Sequence, residues 1–324
     1  LYNSEEENTF YQKTSEELSA DDLTGSWEQK GKSITAAAIT GLFIIGAVYF
    51  NVQSILVTFL TIVYRSIYNI VLPQDLIEMI DTVVSELKAP LLLSAIITQY
   101  FFMMGLSLWL VKKWHTHKIK KYIRIKSCAV KEILLAVFIT VTALPLCYYI
   151  SNLLMDTLDI PYKIRELGAE FFTANSLPEF FVLIFAIAIT PAICEEIFFR
   201  GYFQRTLERT VGWKSVLWTG FLFGLFHFQP LSLIVLSILG LLFSFFYYRS
   251  KSILPSSFSH FTNNFIALFL LYSQSQSIEI GIPSDGNLPA AIIIISTLLF
   301  LVLLWTYFKT TSKQFDLNKI PEWK

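Results

Sequence analysis

Six side chains in three short stretches could do chemistry together. In ITPAICEEIFFRGYFQR, Glu195 and Glu196 are adjacent and Arg200 lies four residues after Glu196. GFLFGLFHFQP supplies His227, and PSSFSHFTNNF supplies His260 and Asn264. Neighbours on a helix point about 100° apart, so the two glutamates look in different directions. Glu196 and Arg200 form an i,i+4 pair on one face, which neutralises that carboxylate. Glu195 is left free to look into a bundle. A Glu and a His can share the work of deprotonating a water, each tuned by burial and by the other. A second His and an Asn can donate to a developing oxyanion. The set suits amide hydrolysis with water as the direct nucleophile. Cys194 and the serines near His260 have no base at a telling spacing, so a covalent route is the weaker reading. Two His and a Glu could also hold Zn²⁺ as an open three-ligand site, although the HExxH arrangement is absent.

The spacing argues that these groups meet. Glu195 lies 17 residues before Gly212 and His227 lies 15 after it. In an antiparallel helix pair turning at Gly212 their depths match to about 3 Å. Gly220, Gly224 and His227 share a face, and Gly at i,i+4 lets a second helix approach closely. Pro191, one turn before Glu195, removes a helix donor and leaves a carbonyl unpaired. His260 and Asn264 share a face two to three turns in from Arg249 and Lys251. Each stretch also has a plain structural reading: snorkelling charges at a helix end, a hydrogen-bonded core His, or interhelical polar glue.

The elements that must position these residues are membrane helices. Of 324 residues, 54% are hydrophobic, 16% aromatic and only 15% charged, with mean hydropathy +0.55. Soluble domains carry about 25% charged residues, so this chain could not cover its surface in water. A soluble enzyme, a disordered chain and a nucleic-acid binder are excluded as readings. The expected fold is an all-α, multi-pass membrane bundle of about eight helices, at 34–56, 90–111, 129–153, 178–199, 214–228, 231–248, 253–273 and 288–308. Residues 57–72 could extend the first helix or lie in the interface. The run 112–126 holds seven Lys/Arg and no acid, with His115 and His117 inside it. That run marks a cytoplasmic loop, and alternation then places both termini in the cytoplasm of a plasma or inner membrane. Glu166, Glu279 and Asp285 count among the acids of the outer loops. The chain divides into an acidic, poorly ordered tail (1–33), N-terminal helices and loops (34–177), a catalytic core (178–275), and a last helix with a tail (276–324). The chain opens on Leu1 rather than Met, so truncation is expected. Cys128, Cys147 and Cys194 are odd in number and lack metal-ligand spacing, which excludes a disulfide framework or CxxC site.

The stretches EEIFFR, FGLFH and HFTNN resemble, in order, the EExxxR, FxxxH and HxxxN signatures of the CPBP (Abi) intramembrane protease family. That family includes the type 2 CAAX prenyl endopeptidase and proteins described as lysostaphin-resistance or bacteriocin-immunity proteins. The matched region is about 178–275. The resemblance implies a glutamic intramembrane endopeptidase acting on a protein or peptide at the membrane, CAAX-type C-terminal processing included. It implies that Glu195 and His227 activate water, His260 and Asn264 hold the oxyanion, and Glu196 and Arg200 brace the site. No cofactor is expected, with a zinc-dependent version as the alternative. A non-catalytic scaffold or immunity protein is the second class of reading. A transporter is the third, without an inverted repeat to support it.

Overall fold

A computed structural model describes residues 18–160, 169–278 and 288–311. Among the described residues every regular element is helical. Glu166, Glu279, Asp285 and the tail after Thr311 lie outside them.

The first long helix, α1 (Ile34–Tyr68), starts where the Ser33 side chain accepts the Ala36 N–H and stops at Asn69, whose φ is 55°. Residues 57–68 therefore continue the first helix. A short α2 (Leu76–Ser85) leads into α3 (Lys88–His115), then α4 (Val130–Thr157). Helix α5 (Leu177–Val211) begins at Ser176, which accepts the Glu179 N–H, and ends at Gly212, φ 57°. It is followed by α6 (Lys214–Phe226), α7 (Leu233–Ser250), α8 (Leu254–Ser275) and α9 (Ala290–Thr311).

Helices thus occupy all eight expected places, but among the described residues only six stretches are long and apolar enough to cross a membrane. Helix α6 falls short in length: its 13 residues rise about 20 Å against a hydrocarbon core of about 30 Å. Helix α8 is long enough, but its serines, His260 and the Asn263–Asn264 pair lower its hydropathy. Helices α6 and α7 pack backbone to backbone. A Cβ on Gly220 would lie 2.6 Å from the Leu241 backbone nitrogen, so only glycine fits there.

The loops marked as cytoplasmic gather at one end of the bundle. Arg124 grips Glu208 with two hydrogen bonds of 2.8 and 2.9 Å, and the Lys251 ammonium donates to the same carboxylate at 2.7 Å. Arg249 ties α7 to the end of α9 through Thr311 Oγ1 at 2.9 Å. The polar stretch 200–211 is helix rather than loop. Arg205 and Arg209 sit beside Glu208 and Glu28, so their charges are spent inside the protein and do not mark an exposed turn.

The acidic tail is also more ordered than expected over its second half. Leu18 is buried. The Gly25 N–H donates to His115 O at 2.8 Å, and Trp27 packs on Trp114 with ring centroids 4.7 Å apart. Asp22 pairs with Lys118 and Lys121, and Glu28 pairs with Arg209 and with the buried His115. The basic run 112–126 therefore meets an acidic partner from its own chain. Residues 1–17 lie outside the described residues.

Candidate active site

Helix α5 is not a uniform α-helix. Two π-helical segments, Ile184–Ile189 and Ile197–Gln204, flank the α-helical turns Thr190–Glu196. Such bulges widen a turn and recur at functional sites. Proline at 191 has no N–H to give the carbonyl of Ile187. That carbonyl is taken by Asn264, whose Nδ2 donates to it at 2.8 Å. The orphan acceptor expected from the proline is real, and it anchors α8 to α5. The Asn264 side-chain oxygen in turn accepts from Asn263 Nδ2 at 2.9 Å.

The two glutamates have different surroundings. Glu196 and Arg200 are fully buried. Arg200 Nη1 donates to Glu196 Oε1 at 2.8 Å, and its Nη2 donates to Gly240 O at 2.9 Å. The guanidinium lies over the Phe223 ring, 4.6 Å from its centroid. Glu196 Oε1 also accepts from His260 Nδ1 at 2.9 Å. Because that nitrogen must carry a proton, His260 Nε2 is the end that faces away from Glu196. The ring is held flat by stacking on Phe243, at 5.1 Å and 19°.

Glu195 is nearly as buried, at 9% exposure, yet its Oε2 has no hydrogen-bond partner among the described residues. His227 Nε2 stands 3.9 Å from that oxygen and His260 Nε2 stands 4.0 Å from it. His227 caps the C-terminus of the short α6. Its Nδ1 donates to Phe223 O at 2.7 Å, which points Nε2 at Glu195. The next residue, Phe228, has φ 51° and is 71% exposed, so the chain turns sharply away just past the imidazole. His227 therefore sits at the broken end of a short helix rather than inside a span. Of the predicted residues, Glu195, Glu196, Arg200, His227 and His260 form one contiguous cluster. Asn264 sits one turn beyond His260, with one amide N–H committed to Ile187 O.

Sequence reasoning missed a contribution from the motif-free helices. Gln99 on α3 is buried and its Nε2 donates to Glu195 Oε1 at 3.4 Å. Just before it, Thr98 hydrogen-bonds Gln53 of α1, and Gln53 Nε2 donates to Ser94 Oγ at 3.1 Å. The signal was present: Gln53, Ser94, Thr98 and Gln99 are polar residues within apolar spans. A search restricted to ionisable groups passes over amides and hydroxyls.

The chain is thus a multi-pass, all-helical membrane protein in which a carboxylate and two imidazoles face one another at the end of a short helix. Residues 177–266 match the family described as type II CAAX prenyl endopeptidase Rce1-like, which supports a CPBP/CAAX protease assignment for that stretch. No curated protein and no solved structure gives a match.

Proposed function

We propose that the chain is a glutamic intramembrane endopeptidase that hydrolyses a peptide bond of a membrane-associated protein, prenylated CAAX C-termini being the first substrate class to try. One observation carries the reading: two acceptor atoms, Glu195 Oε2 and His227 Nε2, face one another 3.9 Å apart, with His260 Nε2 4.0 Å from the same oxygen. Acceptors do not approach without a donor. A water about 2.8 Å from each of two such atoms spans the gap at an angle near 90°.

In the step this supports, Glu195 takes a proton from the water as its oxygen attacks the scissile carbonyl carbon. The C=O electron pair moves onto oxygen. His227 accepts the other O–H and keeps the water aligned. The oxyanion is met by His260 Nε2–H and by the second amide N–H of Asn264. The Glu196 carboxylate on its Nδ1 holds the His260 ring in place for that contact. The oxyanion then collapses back to C=O as the C–N bond breaks and the leaving nitrogen takes the proton held by Glu195, giving a carboxylic acid and an amine. Arg200 braces Glu196 through Nη1.

The basic end of the bundle faces the cytoplasm in this account, with both chain ends on that side. A zinc-dependent version would use the same Glu195, His227 and His260. Tetrahedral zinc ligands lie about 3.3 Å apart, closer than the 3.9 and 4.0 Å here. Among the described residues no group of three His, Cys, Asp or Glu is arranged to hold a metal ion. The test is proteomics of membranes carrying wild type or Glu195→Gln, looking for new C-termini. Their appearance only with wild type supports the protease. An unchanged phenotype and identical C-termini in both favour a non-catalytic scaffold.

A further inference from the structure

Helices α1 and α3 supply none of the family motifs, yet they reach the carboxylate on which the proposed function rests. The contact is Gln99. Its Nε2 donates to Glu195 Oε1, while Glu195 Oε2 faces the two imidazoles. One oxygen of the carboxylate is thus held and the other is left open. The amide can have only this sense: turned over, its carbonyl would face a carboxylate.

Three further features mark Gln99. It opens a π-helical segment, Gln99–Met104, a widened turn of the kind found at functional sites. The preceding Thr98 is bound to Gln53 of α1, and Thr98 Oγ1 also donates to Ser94 O at 2.8 Å. Tyr49, again on α1, has its side chain beside that of Gln99. The Gln99 carbonyl oxygen is buried without a partner among the described residues. An unpaired buried acceptor is destabilising, and an apolar residue would avoid that cost. What an apolar residue could not supply is the N–H on Glu195.

We propose that Gln99 is a positioning residue of the hydrolytic site: it fixes the Glu195 carboxylate through Oε1 and so aims Oε2 at the water between His227 and His260. The inference rests on the proposed hydrolytic reading. Misplacing a catalytic group by about 1 Å costs up to about a hundredfold in rate.

The experiment measures how fast Glu195-dependent C-termini appear in isolated membranes carrying wild type, Glu195→Gln, Gln99→Leu or Gln99→Glu. Abundance and thermal unfolding midpoint of each variant are checked in parallel. Gln99→Leu is expected to slow cleavage about tenfold to a hundredfold. Gln99→Glu is near-isosteric, so it keeps the packing even where the leucine variant does not fold. At pH about 7.5 it places a second carboxylate beside Glu195 and should be as slow as the leucine variant. Toward pH about 5.5 its carboxyl takes up a proton and regains an O–H donor, so its rate relative to wild type should rise. A merely structural glutamine would give a loss that does not vary with pH. Gln99→Glu at the wild-type rate throughout, or slowed by a constant factor at every pH, overturns the inference while the hydrolytic reading stands. If Glu195→Gln makes the same C-termini as wild type, the hydrolytic reading fails and this inference with it.

Discussion

The basic end of the bundle and the site beneath it handle buried carboxylates in opposite ways. At the basic end Glu208 is ringed by Arg124, Lys251 and Arg205, and Glu28 by Arg209 and His115. At the site, Glu195 keeps one oxygen open toward two imidazoles that stop about 4 Å short. Glu196, its immediate neighbour, belongs to the first pattern: it is paired with Arg200 and His260. Satisfied ion clusters lock helices together. A carboxylate left open in the bundle interior is held ready to bind something. Two adjacent glutamates fall on either side of that divide because a helix turns them to different faces.

That contrast can be broken from either side. The largest effect is expected from Glu195→Gln: cleavage lost, with the thermal unfolding midpoint in detergent near that of wild type. Arg200→Ala strands Glu196 in the core, and removing one partner of a buried pair costs about 3–5 kcal/mol. It should lower the amount of folded protein recovered from membranes, which a fluorescence-detected chromatography trace would read directly. Gly220→Ala pushes a Cβ into the Leu241 backbone. Overpacking of this kind costs about 1–3 kcal/mol, and because the α6–α7 contact sets where His227 ends up, activity should fall with stability.

The smallest effect concerns the N-terminal segment. The Lys118 ammonium, with Lys121 beside it, holds the Asp22 carboxyl well below the usual carboxylate range. Burial would raise the Glu28 carboxyl, but hydrogen bonds from His115 and Arg209 more than reverse this and leave it lowered. Both groups therefore contribute to docking above the unfolded carboxylate range of about 4 and lose that contribution as the pH falls below it. Asp22→Asn should quicken hydrogen exchange at the Gly25 amide modestly at neutral pH, once corrected for intrinsic rates.

Much of this was legible in the sequence. Apolar length placed the helices, and the phase of Glu195, Glu196 and Arg200 separated the paired carboxylate from the open one. Counting residues either side of Gly212 put Glu195 and His227 at one depth. Other features needed three dimensions. The stretch 200–211 carries loop-like charge because its arginines pair with residues far away in sequence. The carbonyl freed by Pro191 was foreseeable, but not that Asn264 would take it. Gln99 opens a π-turn, and a π-turn leaves no mark on hydrophobic periodicity. The docking of residues 18–33 depends on Glu28 finding His115 and Arg209, a match between segments that composition alone describes as an acidic tail and a basic loop.

The central claim is that Glu195 activates water without a metal. It is tested most directly with purified protein in detergent and a prenylated CAAX peptide, comparing wild type, wild type treated with a strong zinc chelator, and Glu195→Gln. The account predicts cleavage by the first two at the same rate and none by the third. Cleavage that the chelator abolishes and added zinc restores, or that survives Glu195→Gln, would contradict it.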